Sequence, residues 1–347
     1  GALYANGGEF VPQDHYDMGF RTYVETGAPL PVPATPRQFG IFFGVRDYAY
    51  GSDGSVIVGG DELRGDIAAQ EMASIFSSMP NSSSIAVTGD KISGSGIDIG
   101  SIESNILNIA GQMNAGDTLV LYFSSHGTSQ FGSGSGDEFF SLGQGNSPDF
   151  SDDDLTRILL PLSEINKIAL LDPCHSGGFW KTSDIFESFD TGDLDKVAKM
   201  AMISAAAEDA NAYYYTTTSP YTGTTAGRGY LAMALMTAWQ RGQNGIYLGD
   251  IDGDGTITFD ELYQFVSNSS SLLGSQYQGT LGYRAGEGDV VPWSASQFRP
   301  VAYSTSDFTG KLALSGVPEP QTWFMMLFGF LFVGMGMRSG RFSTAAT

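Results

Sequence analysis

The chain has 347 residues, room for one large domain or two ordinary ones, and its 41% hydrophobic and 16% charged residues exclude an intrinsically disordered chain. Against 38 Asp and Glu there are only 17 Lys and Arg, a formal net charge of -21. That surface repels phosphate and argues against a nucleic-acid partner, while it suits metal cations and basic peptides. One cysteine, Cys174, excludes an internal disulfide and leaves either a core residue or a reactive thiol.

Residues 1–36 have little periodicity. GALYA at the start has the small residues of a processed export signal, and Pro29, Pro31, Pro33 and Pro36 close an extended lead-in. Regular elements then follow. FGIFFGV (Phe39–Val45) is predicted as a buried strand, Asp61–Met79 as a helix, SIAVTG (Ser84–Gly89) as a strand and Asp98–Ala115 as a helix. TLVLYFSS (Thr118–Ser125) gives the strongest strand signal. SDDDLTRILLPL opens on a helix N-cap signal at Ser151 and Asp152. KIALLD (Lys167–Asp172) and KMAMISA (Lys199–Ala205) read as two more strands, and GYLAMALMTAW (Gly229–Trp239) as a helix. Strands alternating with helices predict an α/β fold whose mostly parallel sheet carries helices on both faces, with ligands beyond the carboxyl ends of the strands.

Two segments lie at such ends: SSHG (Ser124–Gly127) and DPCHSGG (Asp172–Gly178). If their strands are neighbours, His126 and Cys174 project into one cleft, where the imidazole takes the thiol proton and a thiolate nucleophile results. His175 competes as the base, but side chains adjacent at a strand end point apart, which favours His126. Gly127 leaves its N–H open and, with the Cys174 N–H, would form a two-donor oxyanion hole.

These segments resemble the caspase-like cysteine peptidases, most closely their bacterial metacaspase branch. The resemblance is carried in order by FFGVRDY, LRGD (Leu63–Asp66), YFSSHG, LLDPCHSGG, MISAAAEDANA (Met202–Ala212) and GRGYLAMAL, from about Gln38 to Gly245. It implies a caspase-like three-layer sandwich over residues 37–245 and peptide-bond hydrolysis through a thioester acyl-enzyme. It also implies a Cys–His dyad without an obligate third member. It places Asp172, two residues before the Cys, in the first specificity pocket, and matches Ser124 two before the His. The Asn-Asp pair of the family's following helix is replaced by IAAQ (Ile67–Gln70), with Asp66 a turn earlier as a possible substitute. An acidic, partly desolvated pocket favours cleavage after Arg or Lys. Lys181, Lys196 and Lys199, which flank an acidic loop, are then candidate self-processing positions. The alternative in the binding class is an inactive caspase-like, calcium-dependent module at the cell surface.

Residues 246–315 hold DIDGDGTITFDE (Asp250–Glu261). It fits a twelve-residue EF-hand loop for Ca2+, with Asp250, Asp252, Asp254, the Thr256 carbonyl and Glu261 as ligands and Gly255 at the sharp turn. GQNGIYLG (Gly242–Gly249) is too Gly-rich for an entering helix, so a single structural loop is expected. Residues 316–347 run VPEP (Val317–Pro320), the 15-residue apolar stretch Trp323–Met337, then Arg338 and Arg341. At about 1.5 Å per residue that stretch is short for a bilayer. The order resembles the PEP-CTERM sorting signal of Gram-negative bacteria. That resemblance implies export to the cell envelope or surface, an exosortase-type sorting partner and a membrane contact through this segment.

Overall fold

A computed structural model describes residues 2–6, 9–13, 36–47, 63–91, 93, 95–129, 138–142, 150–180, 193–219, 222–276, 281–284, 290–292, 298–309 and 311–312. The chain forms two units, residues 1–35 and 36–347. In the first, β1 (Ala2–Asn6) and β2 (Glu9–Gln13) pair as an antiparallel hairpin. The tail from residue 313 on, with its Pro-Glu-Pro motif and apolar stretch, lies outside the described residues. Among the described residues, no helix is long and apolar enough to cross a membrane.

The second unit opens with β3 (Gln38–Asp47), β4 (Leu63–Arg64), α1 (Gly65–Ser77), β5 (Ser82–Asp90) and α2 (Ile99–Ala110). Then come β6 (Thr118–Ser124), β7 (Gly127–Ser129), β8 (Glu138–Phe140), β9 (Phe150–Ser151), α3 (Asp152–Leu159) and β10 (Asn166–Leu171). Beyond these lie β11 (Met200–Ser204), β12 (Tyr213–Thr218), β13 (Thr225–Gly229), α4 (Tyr230–Ala238), β14 (Ile257–Thr258) and α5 (Phe259–Gln276). The last strands are β15 (Leu281–Arg284), β16 (Val290–Pro292), β17 (Val301–Ser304) and β18 (Lys311–Leu312).

At the heart of the sheet, β5, β3, β6, β10 and β11 run parallel, in that spatial order. This is the parallel α/β sheet that the alternation of elements predicts. Antiparallel strands flank it, a feature the apolar pattern does not announce: β17 beside β11, and β15, β12 and β13 on the other side. Alternation along β3 sorts the two cores. Phe39, Ile41, Phe43 and Val45 pack with Ile102 and Ile106 of α2 and Leu155, Ile158 and Leu159 of α3. Phe42 faces the opposite layer, with Met72 and Phe76 of α1, Leu231 and Leu235 of α4 and Leu262 and Val266 of α5.

Capping residues fix where helices begin. The Asp98 carboxylate accepts the Ser101 N–H at 2.6 Å, and the Ser101 hydroxyl faces the Asp98 N–H in return. Ser151, rather than Asp152, is the N-cap of α3.

Candidate active site

The parallel register of β6 and β10 pairs Phe123 with Leu171, so both strands end at the same level. Asp172 continues the ladder, its N–H donating to the Phe123 carbonyl at 3.0 Å. The segments Ser124–Gly127 and Asp172–Cys174 therefore leave the sheet side by side. A Cβ on Gly127 would stand 2.1 Å from the Cys174 carbonyl oxygen and 2.9 Å from the Pro173 Cβ, so the His-Gly backbone rests directly on the cysteine. The Ser141 N–H donates to the His126 carbonyl at 2.9 Å, while Gly127 is registered against Phe140. In an antiparallel ladder this makes Gly127 and Phe140 a non-hydrogen-bonded pair, and the Gly127 N–H stays out of the ladder.

Cys174 is 4% exposed, and its sulfur accepts the Ala212 N–H at 3.3 Å. His175, next to it, turns away. It sits in the left-handed region (φ 58°, ψ 6°), its N–H donates to the Ala210 carbonyl at 2.9 Å, and its Nδ1 lies 2.7 Å from the Glu208 carbonyl. His126 is the histidine on the segment that touches the Cys174 backbone. Its Nε2 lies 3.8 Å from Asp47 Oδ2, at the buried end of β3. Sequence reasoning missed Asp47; the signal available was its place at a strand end beside that of the His-Gly strand.

Beside Cys174 is a small cavity of about 10 Å³, lined among others by Ser124, Asp172, Ala212, Tyr213, Tyr214 and Gly229. Asp172 Oδ2 accepts the Tyr122 hydroxyl at 3.0 Å and the Ala232 N–H of the first turn of α4 at 3.3 Å. Its Oδ1 has no hydrogen-bond partner among the described residues. Burial pushes the Asp172 carboxyl up to about 7, against the lowering effect of Tyr122 and of the Ala232 and Leu231 N–H groups. Burial, and then the adjacent Asp172 charge, push the Tyr122 phenol well above its ordinary range. A Cβ on Gly229 would fall 2.0 Å from Asp172 Oδ2. Asp66 is not among the residues lining this cavity. Its carboxylate makes a two-pronged ion pair with Arg64 at 2.8 and 2.9 Å, because both sit at the sharp turn from β4 into α1.

Residues 66–246, over half of the chain, match the family model described as Caspase domain. The chain belongs to the caspase-domain family. Its sheet, with helices on both faces, is the caspase fold, and the family is one of cysteine-peptidase-like hydrolases. Two solved structures are similar over most of their length. Protein GSU0716 from Geobacter sulfurreducens is 16% identical, covering 79% of this chain and 99% of that one with a TM-score of 0.44. Caspase-1 from Spodoptera frugiperda is 12% identical, covering 80% and 90% with a TM-score of 0.43. Family membership rests on the family model and not on these distant likenesses. No curated protein matches the sequence.

The caspase-domain match spans His126, Asp172 and Cys174 and ends four residues before Asp250. In the loop that follows, ligand oxygens of Asp250, Asp252 and Asp254 lie within 4.8 Å of one another. Gly253 and Gly255 adopt φ of 76° and 89° and donate their N–H groups to Asp250 at 2.8 and 2.9 Å. Burial, and the charges of Asp254 and Glu261, raise the Asp250 carboxyl despite those two donors. Glu261 is not in the cluster. One of its oxygens accepts the Ile251 and Asp252 N–H groups, the other the Thr258 N–H and hydroxyl. Burial opposes its ionisation, but these donors outweigh it and hold the carboxyl below its usual value. Thr256 donates its N–H to Asp254 at 2.7 Å. Gly242–Gly249 forms turns, not an entering helix, and α5 exits from Phe259. The donor set, all oxygen and three carboxylates converging, fits a hard divalent cation.

Of the candidate processing positions, Lys181 lies outside the described residues. Lys196 pairs with Asp193 at 2.7 Å and Lys199 donates to the Glu164 carbonyl at 3.2 Å.

Proposed function

We propose that this protein is an exported cysteine endopeptidase that cleaves peptide bonds after Arg or Lys, with Cys174 as nucleophile and His126 as base. The observation that carries the reading is Asp172: a buried carboxylate that lines the cavity beside the nucleophile, with one oxygen lacking a hydrogen-bond partner among the described residues. A guanidinium or ammonium supplies the donors and the positive charge that oxygen lacks. A caspase-type pocket for Asp needs the opposite charge.

In this reading His126 removes the Sγ proton, and the sulfur electron pair adds to the scissile carbonyl carbon. The Cys174 and Gly127 N–H groups receive the oxyanion. The intermediate collapses with cleavage of the C–N bond, the amine leaves with the proton from His126, and water hydrolyses the thioester with His126 again as base.

The acidic loop is proposed to bind Ca2+ through Asp250, Asp252, Asp254, the Thr256 carbonyl and Glu261, in a structural role. Binding requires Glu261 to exchange its backbone donors for the ion. The order of motifs in residues 316–347 supports sorting to the cell envelope of a Gram-negative bacterium by an exosortase-type enzyme.

The test is hydrolysis of fluorogenic peptides ending in Arg, Lys or Asp, with and without Ca2+, by wild type and Cys174→Ala. Release after Arg or Lys that disappears in the variant is expected. Release after Asp keeps the dyad and overturns the pocket. No release under any condition favours the inactive binding module.

A further inference from the structure

The ends of β3 and β6 lie together, with Gly44 registered against Ser124, and the Asp47 carboxylate comes to the Nε2 side of the His126 imidazole. Asp47 is fully buried. Its Oδ2 lies 2.7 Å from Lys91 Nζ and 3.8 Å from His126 Nε2. Lys91, just past β5, is itself buried, and its N–H donates to the Arg46 carbonyl at 3.2 Å. Its ammonium also donates to the Ser141 hydroxyl at 2.5 Å, and the Ser141 N–H returns to the His126 carbonyl at 2.9 Å. Asp47, Lys91, Ser141 and His126 thus close a circuit drawn from four separate segments.

We infer that Asp47, braced by Lys91, is a positioning residue for His126 and completes the dyad as a third member. This rests on His126 being the base for Cys174. An ionised carboxylate is acceptor-only, so the nitrogen facing it, Nε2, carries the proton. Nδ1 is then the nitrogen with the lone pair, presented to the thiol. When the S–H bond breaks, its electron pair stays on sulfur and the N–H bond forms at Nδ1. The resulting imidazolium meets the Asp47 carboxylate, which stabilises it and the thiolate with it. Lys91 supplies the counter-charge a fully buried carboxylate requires, and Ser141 ties Lys91 to the His126 backbone. Asp47 is set against this ring with Lys91 behind it, and Gly127, the next residue, rests on the Cys174 backbone. At 3.8 Å the Asp47–His126 contact is a charge pairing. Catalytic contacts of this kind shorten into hydrogen bonds when substrate binds.

Cys174 is the only cysteine, so alkylation by iodoacetamide reads its thiolate directly, without any peptide substrate. In Asp47→Asn the acid limb of the rate–pH profile is expected to move up by about one pH unit, with a roughly tenfold slower reaction near pH 6.5. For Arg peptides kcat is expected to fall about 10- to 100-fold with KM nearly unchanged, and Asp47→Glu to recover part of the loss. A profile superimposable on wild type overturns the inference, whatever happens to melting temperature. If the alkylation shift appears but wild type cleaves no peptide, the endopeptidase reading fails and the role of Asp47 stands. Nitrogen–proton correlation spectra of the wild type cover the case in which Asp47→Asn does not fold. They are expected to show His126 protonated at Nε2, and a proton on Nδ1 instead overturns the inference.

Discussion

The Tyr122 hydroxyl donates to the Asp172 carboxylate at 3.0 Å inside a site where both residues are buried. That contact, with the Ala232 N–H at the start of α4, holds Oδ2, while Oδ1 has no hydrogen-bond partner among the described residues and Asp172 lines the cavity beside Cys174. Because burial raises the Asp172 carboxyl to about 7, its charge changes within the working range of a peptidase. Below that value the pocket is neutral, and above it the pocket attracts a cation. The preference for Arg over its neutral isostere citrulline is expected to be roughly tenfold smaller at pH 6 than at pH 8, since the ionised fraction changes by about that factor. A ratio of kcat/KM values cancels the titration of the dyad. In Asp172→Asn the ratio is expected to be small and independent of pH, and an unchanged ratio excludes Asp172 from the pocket.

The same residue links pH to stability. Its folded carboxyl titrates above the unfolded one, so the folded form binds the proton more tightly. The contribution is fully present below about pH 4 and is lost as pH rises through about 7. Asp172→Asn is therefore expected to melt closer to wild type, or above it, at pH 8 than at pH 5. The comparison needs only thermal scans at the two values.

Gly127 has no space for a side chain, since its added Cβ meets a backbone oxygen at 2.1 Å and not a movable group. Gly127→Ala is expected to push the His-Gly segment off Cys174, at a stability cost of about 1–3 kcal/mol and with at least a hundredfold loss of peptide cleavage. Denaturant midpoints separate the two effects, because the loss of rate exceeds what the fraction unfolded explains.

Away from the site, Arg228 and Glu71 form an ion pair at 2.7 Å with both side chains almost wholly buried, joining β13 to α1. Arg228 also donates to the Ala226 and Thr224 carbonyls. Arg228→Met leaves the Glu71 charge alone in the interior and is expected to cost about 3–5 kcal/mol. Adding Glu71→Leu is expected to restore part of that loss in urea titrations. A double variant as unstable as the sum of the two singles would show that the pair is not coupled.

The parallel core was readable because each of its inner strands is a short apolar run bounded by turns, as in TLVLYFSS and KIALLD. Helix starts were readable from capping chemistry at Asp98 and Ser151. The β12–β13 hairpin was not, since YYYTTT and TAGRG have neither an apolar run nor strict alternation. Their strand character comes from pairing in the sheet. At the site, His126, Gly127 and Cys174 announce themselves by following strong strands with small residues. Asp47 does not, because a lone Asp at a strand end has the same local sequence whether it caps a turn or faces a histidine. Asp66 shows another limit of local sequence: its position suggests a pocket residue, and the structure adds that Arg64, two residues before it, pairs with its carboxylate.

Asp250, Asp252 and Asp254 bring three carboxylates within 4.8 Å, an arrangement that is repulsive unless a cation joins it; burial first, and then the charges of Asp254 and Glu261, raise the Asp250 carboxyl. The loop is tied into the fold on both sides. Ile257 pairs with Leu312, while Leu262 and Val266 pack in the same core as α4. Ca2+ is therefore expected to raise the melting temperature of the whole caspase domain, by an amount that grows with ion concentration as mass action requires. Chelation is expected to remove the gain, and Asp252→Asn with Asp254→Asn to abolish it while leaving alkylation of Cys174 unchanged. Glu261→Gln tests the rearrangement separately. It keeps an oxygen for the backbone donors but weakens the bidentate ligand, so the Ca2+-dependent shift is expected to require roughly tenfold more ion or greater. Melting curves identical with and without millimolar Ca2+ rule out a structural ion at this loop.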